Sequence, residues 1–508
     1  MPRSIIAGAV LLAVACTVYR VRVEEVPRAG PAEVRSPVKA HLIDGSTIVF
    51  RSGVRVSERT LQGAGVRYGL SLAESTQVGG IPLDSVAGMQ AFRDDVDLPP
   101  TILLTTLGIA ATAAAAAAAA VAIFGSCPTV YADSASTAVL QAEAFSYSIA
   151  PIFEMRDVDG VRVHPDANGV VTLEIRNEAL ETHFLNHLEL LSVDQAADET
   201  LVPDARGQPI ALSALQEPRQ ARDAAGRDVR EALAQSDGVV FSSDTTALAR
   251  AGPEDLRDHI DVNLPVPAGA DSVAVLLRLR NSLLATVLFY DVMLGDRGAY
   301  ALDYVGRDLE ELGNAMELGR FAREQLGLQV GVWDGHGVRS VARVGDTGPI
   351  AWKDVAVVVP VLEDGRVRVR LSFAVDNWRI DRVAAGSWRR PSTRAVPLAG
   401  VRTARTSDDT AARRSLEAPD QRYLETVPGQ RFFAEFDVGS APADGGRTFL
   451  LAWQGYYTEW IRPSWMARSR DSLPYQPGLQ TLAEAVVRWR SAQDSLERRF
   501  YSTRIPVR

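Results

Sequence analysis

The chain has 508 residues, 46% of them hydrophobic and 23% charged, enough for two to four domains with sizeable cores. A net charge of −9 and a pI near 5.4 argue against nucleic acid as a partner. With two cysteines, a disulfide scaffold and a cysteine-only zinc site are excluded. Lys39 and Lys353 are the only lysines among 54 basic residues, a bias that fits a GC-rich genome.

Met1-Pro2-Arg3-Ser4 supplies one positive charge, Ile5–Ala15 is an apolar run, and Ala13-Val14-Ala15 precedes Cys16. This is the pattern of a secretory signal, and the run is too short to span a bilayer. A cysteine at the expected cut marks a bacterial lipobox, although Ala13 stands where leucine is commoner. The expectation is a signal peptide over 1–15 and a lipidated Cys16 carrying palmitate-type acyl chains, with a linker to residue 38. Ordinary secretion and an uncleaved anchor are the alternatives. Several acyl chains hold a soluble body stably at a membrane.

Residues 39–96 read as a small SH3-like β-barrel. His41-Leu42-Ile43 and Thr47–Phe50 flank Asp44-Gly45, a hairpin signal. Val54–Val56, a turn around Gly63–Gly65, and Ile81–Phe92 supply the rest. Ile102–Phe124 is uncharged and holds eight consecutive alanines, Ala113–Ala120, so the spacing predicts a hydrophobic helix over 101–125. It is long enough to cross a membrane. Its downstream flank has no basic residue before Arg156, which gives no support for a cytoplasmic C-terminus. Spanning and packing against protein both remain open.

Residues 126–300 are expected to form a first antiparallel β-sandwich module and 301–465 a second. Val171, Leu173 and Ile175 alternate with polar neighbours, and Leu188 and Leu190 follow in the next strand. Residues 203–251 read as a polar insertion with a helix near Gln216–Ala234. Val273–Leu279 and Leu283–Leu294 are apolar runs sized for buried strands, and a helix through Leu309, Leu312 and Met316 ends at Gly327. After a turn at Glu363–Gly365, Val367, Val369, Leu371 and Phe373 alternate with polar residues, and Val355–Val361 is the expected partner strand. Residues 389–420 read as a linker. Strands resume at Arg431–Val438 and Thr448–Ile461. An amphipathic helix over 478–500 closes the chain, with Thr481 and Glu484 as a capping box. The fold class is therefore mainly β (α+β), with helical decoration.

No catalytic signature appears: there is no G-x-S-x-G elbow, P-loop or dinucleotide fingerprint. His183 and His187 are four apart, but on a strand they lie roughly 13 Å from each other, so no metal site is assigned. Asp157-Val-Asp159-Gly160 and Asp166-Ala-Asn168-Gly169 resemble fragments of calcium loops without the later ligands and fit hairpin turns better. Trp453, Tyr456, Tyr457, Trp460 and Trp465 form a dense aromatic cluster. Such residues can present a ligand surface, stacking on sugars or lying at a membrane interface, or can fill a buried strand end.

Five phrases resemble a set of uncharacterised bacterial cell-envelope lipoproteins. They are Gly125–Tyr131 (GSCPTVY), Phe145–Ala150 (FSYSIA), Arg176–His183 (RNEALETH), Gly348–Trp352 (GPIAW) and Gln454–Trp460 (QGYYTEW). The resemblance covers most of residues 40–465 and implies a cell-envelope lipoprotein with no assigned activity, substrate or site. The function expected is non-catalytic: an anchored protein of the periplasm or outer membrane that binds a protein or glycan partner, or serves in an envelope assembly, without a cofactor. The alternative is an envelope hydrolase acting on polysaccharide or peptidoglycan, which needs two carboxylates facing one cleft about 5–10 Å apart.

Overall fold

A computed structural model describes residues 19–26, 30–42, 44, 46–68, 75–96, 127–134, 137–244, 256–301, 304, 308–362, 366–403, 406–439, 446–460 and 477–507. The expected signal peptide, Cys16, the helix over 101–125 and Trp465 lie outside them. Among the described residues no helix is long and apolar enough to cross a membrane. The fold is mainly β, and the described residues form five antiparallel sheets and a C-terminal helix.

The first sheet has eight strands between Tyr19 and Val96 and curls into a nearly closed barrel. Strand Val38–Leu42 pairs with Thr47–Phe50, as the hairpin signal predicts. Gly63 and Gly65 do not make a turn. They lie inside strand Thr60–Tyr68, where the register shifts between Gln62 and Gly65. A Cβ on Gly65 would come within 2.6 Å of the Phe50 ring, so close packing rather than a chain reversal demands glycine there.

Two sandwiches follow, and their strands are not consecutive in the chain. In the first, Thr129–Ser134, Thr137–Glu143, Val170–Arg176, Leu398–Thr403 and Arg431–Asp437 form one sheet. Met155–Val161, Glu181–Gln195, Arg394–Val396 and Gly446–Glu459 form the other, with Leu424–Thr426 beside Glu181–Gln195. Val171, Leu173, Phe432 and Phe436 meet Leu188, Leu190, Leu451 and Trp453 in its core. The second sandwich uses only residues between Thr200 and Arg389 and is inserted into the first between Gln195 and Arg394. The boundary expected at residue 300 is thus corrected. Strand pairing joins Glu181–Gln195 to Gly446–Glu459 over about 250 residues of chain, a connection invisible to local pattern.

Val367, Val369, Leu371 and Phe373 are buried in alternation, as their sequence spacing predicts. Their neighbours are Arg257–Leu264 and Leu328–Trp333 rather than residues 355–361. Lys353–Pro360 pairs with Ser272–Asn281 in the opposite sheet, so the turn carries the chain across the sandwich. Residues 283–294 are helical, with Val287–Met293 a π-helical turn, because the run is buried all round and periodicity alone cannot tell it from a strand. Region 389–420 contains two strands and a helix, Thr410–Leu416, and is not a linker. Within 203–251 the described residues hold strands Pro209–Gln216 and Gln220–Asp223 and one short helix, Glu231–Ala234, rather than a helix over 216–234.

The closing helix runs Leu479–Ser502 with Gly478, not Thr481, at its N-cap. Leu482, Val486, Trp489, Leu496 and Phe500 bury one face against the helical segment after residue 283. Trp489 Nε1 donates to Asp376 Oδ2 at 2.5 Å. Arg488 bridges Asp291 and Asp296 at 3.0 and 2.8 Å.

Candidate functional site

Described residues from all five phrases come together at one junction: Cys127, Ser146, Glu181, Ile350 and Tyr457 lie around Glu143 or one another. This junction lies where the first sandwich, the helical segment 283–294 and the loop 345–351 meet. Asp346 accepts from Gly348 N–H at 2.9 Å, and Asn281 Oδ1 accepts from Thr347 N–H at 2.8 Å. Gly348 sits at φ +78°, a left-handed conformation that glycine takes without strain. This turn aims the N–H groups of Ile350 and Ala351 at the Glu143 carboxylate, at 2.7 and 3.0 Å.

Around Glu143 stands a set of buried polar side chains. Tyr457 OH donates to the Ser146 carbonyl at 2.7 Å, and Tyr457 N–H to the Ser148 carbonyl at 2.9 Å. Tyr290 OH donates to Glu181 at 3.1 Å, and His183 Nε2 lies 3.2 Å from the other Glu181 oxygen. Glu181 and Glu459 face each other across a strand pair, both buried. Glu178 accepts from Thr129, Tyr131 and Arg504 at 2.8, 2.9 and 2.6 Å.

Burial sets the electrostatics of this cluster. Burial holds His183 down at about 3, against 6.5, so it is neutral across the physiological range. Burial first, then the Glu143 and Glu181 carboxylates, push the Cys127 thiol well above its ordinary value. A reactive thiol needs the opposite surroundings. The pocket lined by Glu143, Ser146, Asn281, Thr286, Tyr290, Asp346 and Tyr457 measures about 30 Å³. That is room for one water, whereas substrate pockets run to roughly 300–1,000 Å³.

The other sequence candidates fall as follows. His183 is buried and His187 half-buried on one strand, and a bulge between Leu185 and His187 breaks the alternation that would have put them on one face. Among the described residues no group of histidine, cysteine or acidic side chains is arranged to hold a metal. Asp166–Gly169 is a turn in which Asp166 Oδ1 accepts from Asn168 and Val170 N–H. Asp157–Gly160 is not a turn. It lies inside strand Met155–Val161, paired with residues 449–455. Of the aromatic cluster, Trp453, Tyr456 and Tyr457 are buried, and Trp460 is half-buried with its ring 3.7 Å from the His41 ring. Trp460 joins the sandwich to the barrel, helped by the buried Lys39 ammonium at 4.9 Å.

Sequence reasoning missed an open groove of about 930 Å³ between Pro151–Phe153 and helix Leu312–Phe321. Tyr147, Ile152, Phe153, Leu312, Ala315 and Met316 supply its apolar wall. Leu312 and Met316 are 66% and 65% exposed, an unusual placement for neighbouring large apolar side chains on one helix. Arg320 and Arg323 close one end, both exposed and with no salt bridge among the described residues. Their spacing, 312, 316, 320 and 323, is a single helical stripe, and that signal was available in the sequence.

No family model and no curated protein sequence matches the chain. Among solved structures, a GH31 alpha-xylosidase from Xanthomonas citri aligns over 85% of this chain and 38% of its own, at 8% identity and a TM-score of 0.17. The chain therefore spans well under half of that enzyme. Infectious bursal disease virus of the Gx strain aligns over 96% of this chain and 91% of its own, at 8% identity and a TM-score of 0.12. Likenesses this low carry no argument about fold or activity.

Proposed function

We propose that this protein is a non-catalytic cell-envelope lipoprotein, anchored through Cys16, whose body recognises a partner protein through the groove between residues 151–153 and 312–323. The observation that carries the reading is the character of that groove. It is an open depression of about 930 Å³, its wall is apolar, and Glu317 is its only lining carboxylate. A glycosidase cleft needs a carboxylate pair, whereas Glu143, Glu181 and Glu459 sit at the closed junction. Burial of Trp453, Tyr456 and Tyr457 removes the stacking platform that a glycan would use, which favours a protein partner over a sugar. Arg320 and Arg323 select an apolar segment flanked by acidic residues.

The test is a photo-reactive residue at position 312 in intact cells, compared with one at the equally exposed Val487 on the closing helix. A discrete protein adduct at 312, absent at 487 and lost in Arg320→Glu/Arg323→Glu, is the expected result. Leu312→Asp and Met316→Asp are expected to leave folding within about 0.5 kcal/mol of the parent while lowering adduct yield elsewhere along the groove. Equal labelling at both positions, indifferent to charge reversal, contradicts the reading.

A further inference from the structure

One cluster outside both sites combines a nucleophile, an acid and a base. Lys353 opens strand Lys353–Pro360 of the inserted sandwich, and its Nζ lies 2.5 Å from Asp157 Oδ1 and 2.9 Å from Asp159 Oδ1. The two aspartates are two apart on strand Met155–Val161 of the first sandwich, so their side chains leave one face together. The side chains of Lys353, Asp157 and Asp159 are 13%, 18% and 6% exposed, so the Lys353–Asp159 contact is the drier of the two. Trp453 Nε1 donates to Asp159 Oδ2 at 3.1 Å. Asp157 is oriented separately, accepting from Phe145 N–H at 3.1 Å and from Val158 N–H at 2.8 Å.

We propose that Lys353 and Asp159 condense into an isopeptide bond that covalently joins the two sandwiches. Lysine is itself part of the argument. Two neighbouring carboxylates suit the bidentate fork of arginine better than a point charge, and this chain uses arginine for nearly every other cation. An amine that can lose its proton and attack is the property that arginine lacks. The only free thiol among the described residues is the buried Cys127, so disulfide bonding offers no staple between these modules.

The chemistry balances without an oxidant or a co-reactant. Burial and the nearby Asp157 carboxylate raise Asp159 to about 6, so it takes up a proton more readily than an ordinary aspartate. Although burial alone would lower Lys353, the Asp157 and Asp159 carboxylates raise it above its ordinary value and hold it as an ammonium, so the reacting form is the minor one in which Asp157 has taken a proton from Nζ and all three groups are neutral. Nζ attacks Asp159 Cγ, and the oxyanion forms at Oδ2 against the Trp453 N–H. Asp157 returns its proton to the departing Oδ1 hydroxyl and takes up the surplus proton from Nζ, the Cγ–Oδ1 bond breaks, and one water leaves as the neutral Nζ–Cγ amide forms. Fixed juxtaposition of reactants can supply effective concentrations on the order of 10⁵ M or more, which makes an otherwise slow condensation accessible.

The inference depends on neither the groove nor lipidation, and peptide mapping of the purified full chain tests it. Trypsin cuts after Arg156, Arg162, Arg343 and Arg366 and would also cut after a free Lys353. The expected product is a branched species joining residues 157–162 to residues 344–366, uncut at Lys353 and lighter than the two peptides together by one water. Fragmentation should place the bond on Asp159. Lys353→Arg, which keeps the charge, and Asp157→Ala, which removes the proton relay, should both give linear peptides only. Linear 157–162 and 354–366 from the wild-type chain would overturn the proposal, whatever the variants do. A branched peptide persisting in Asp157→Ala would overturn the role given to that residue.

Discussion

Gly348→Ala places one methyl group at the point where the junction is tightest. A Cβ there would lie 2.2 Å from Glu143 Cδ and 2.4 Å from its Oε1, on a backbone at φ +78°. The left-handed conformation alone costs an L-residue about 1–2 kcal/mol. Glu143 must also withdraw from the Ile350 and Ala351 N–H groups, and hydrogen bonds to a charged group contribute about 1.5–3 kcal/mol each. With partial relaxation the loss is about 4 kcal/mol, or a fall in Tm of roughly 10 °C for a module of 150–250 residues. Urea unfolding, with hydrogen exchange of the peptide spanning 346–352, reads both the global and the local effect. Gly345→Ala is the control, since it lies in the same loop with open space around its Cβ position and should change little. Parent-like stability and exchange for Gly348→Ala would refute the idea that a backbone-held Glu143 locks this junction.

Cys127 is buried under acidic neighbours. Iodoacetamide should therefore leave it unmodified in the native chain and alkylate it fully in urea, as read by peptide mass; rapid native labelling would contradict the placement. His183 has a folded-state value of about 3 against 6.5, so the unfolded chain binds the proton first as pH falls. Its contribution is complete above 6.5 and is lost progressively towards 3, at about 1.4 kcal/mol per pH unit. His183→Gln should flatten the acid limb of urea midpoints by that share, leaving the part due to His41, which burial also holds low. An unchanged slope would contradict a neutral, buried His183. Trp489→Phe should cost about 1–3 kcal/mol, because the Asp376 carboxylate loses a buried donor. A change below about 0.5 kcal/mol in urea unfolding would show that donor to be dispensable.

The sequence made the strands legible wherever one face is wet, as at Val367–Phe373 and Val170–Arg176, because alternation records a solvent boundary. It failed at residues 283–294, which are covered on every side and so carry no such boundary. The insertion of one sandwich into the other was hidden, since what defines it is pairing between residues hundreds of positions apart. Asp157-Val-Asp159-Gly160 has the composition of a turn, yet seven consecutive pairings with residues 449–455 hold it straight; tertiary pairing overrode local preference. The aromatic cluster showed its density in the sequence but not its direction, and Trp453, Tyr456 and Tyr457 turned inward. Both lysines stood out in the composition, and both prove to lie between modules: Lys39 beneath Trp460 and Lys353 beside Asp157 and Asp159.

Growth with an alkyne-bearing palmitate analogue, followed by capture of the wild-type protein and of Cys16→Ser, tests the lipoprotein reading most directly. Label on the wild-type protein in the membrane fraction, and none on Cys16→Ser, is the result expected. Unlabelled wild-type protein in the cytosol with Met1 still attached would contradict it.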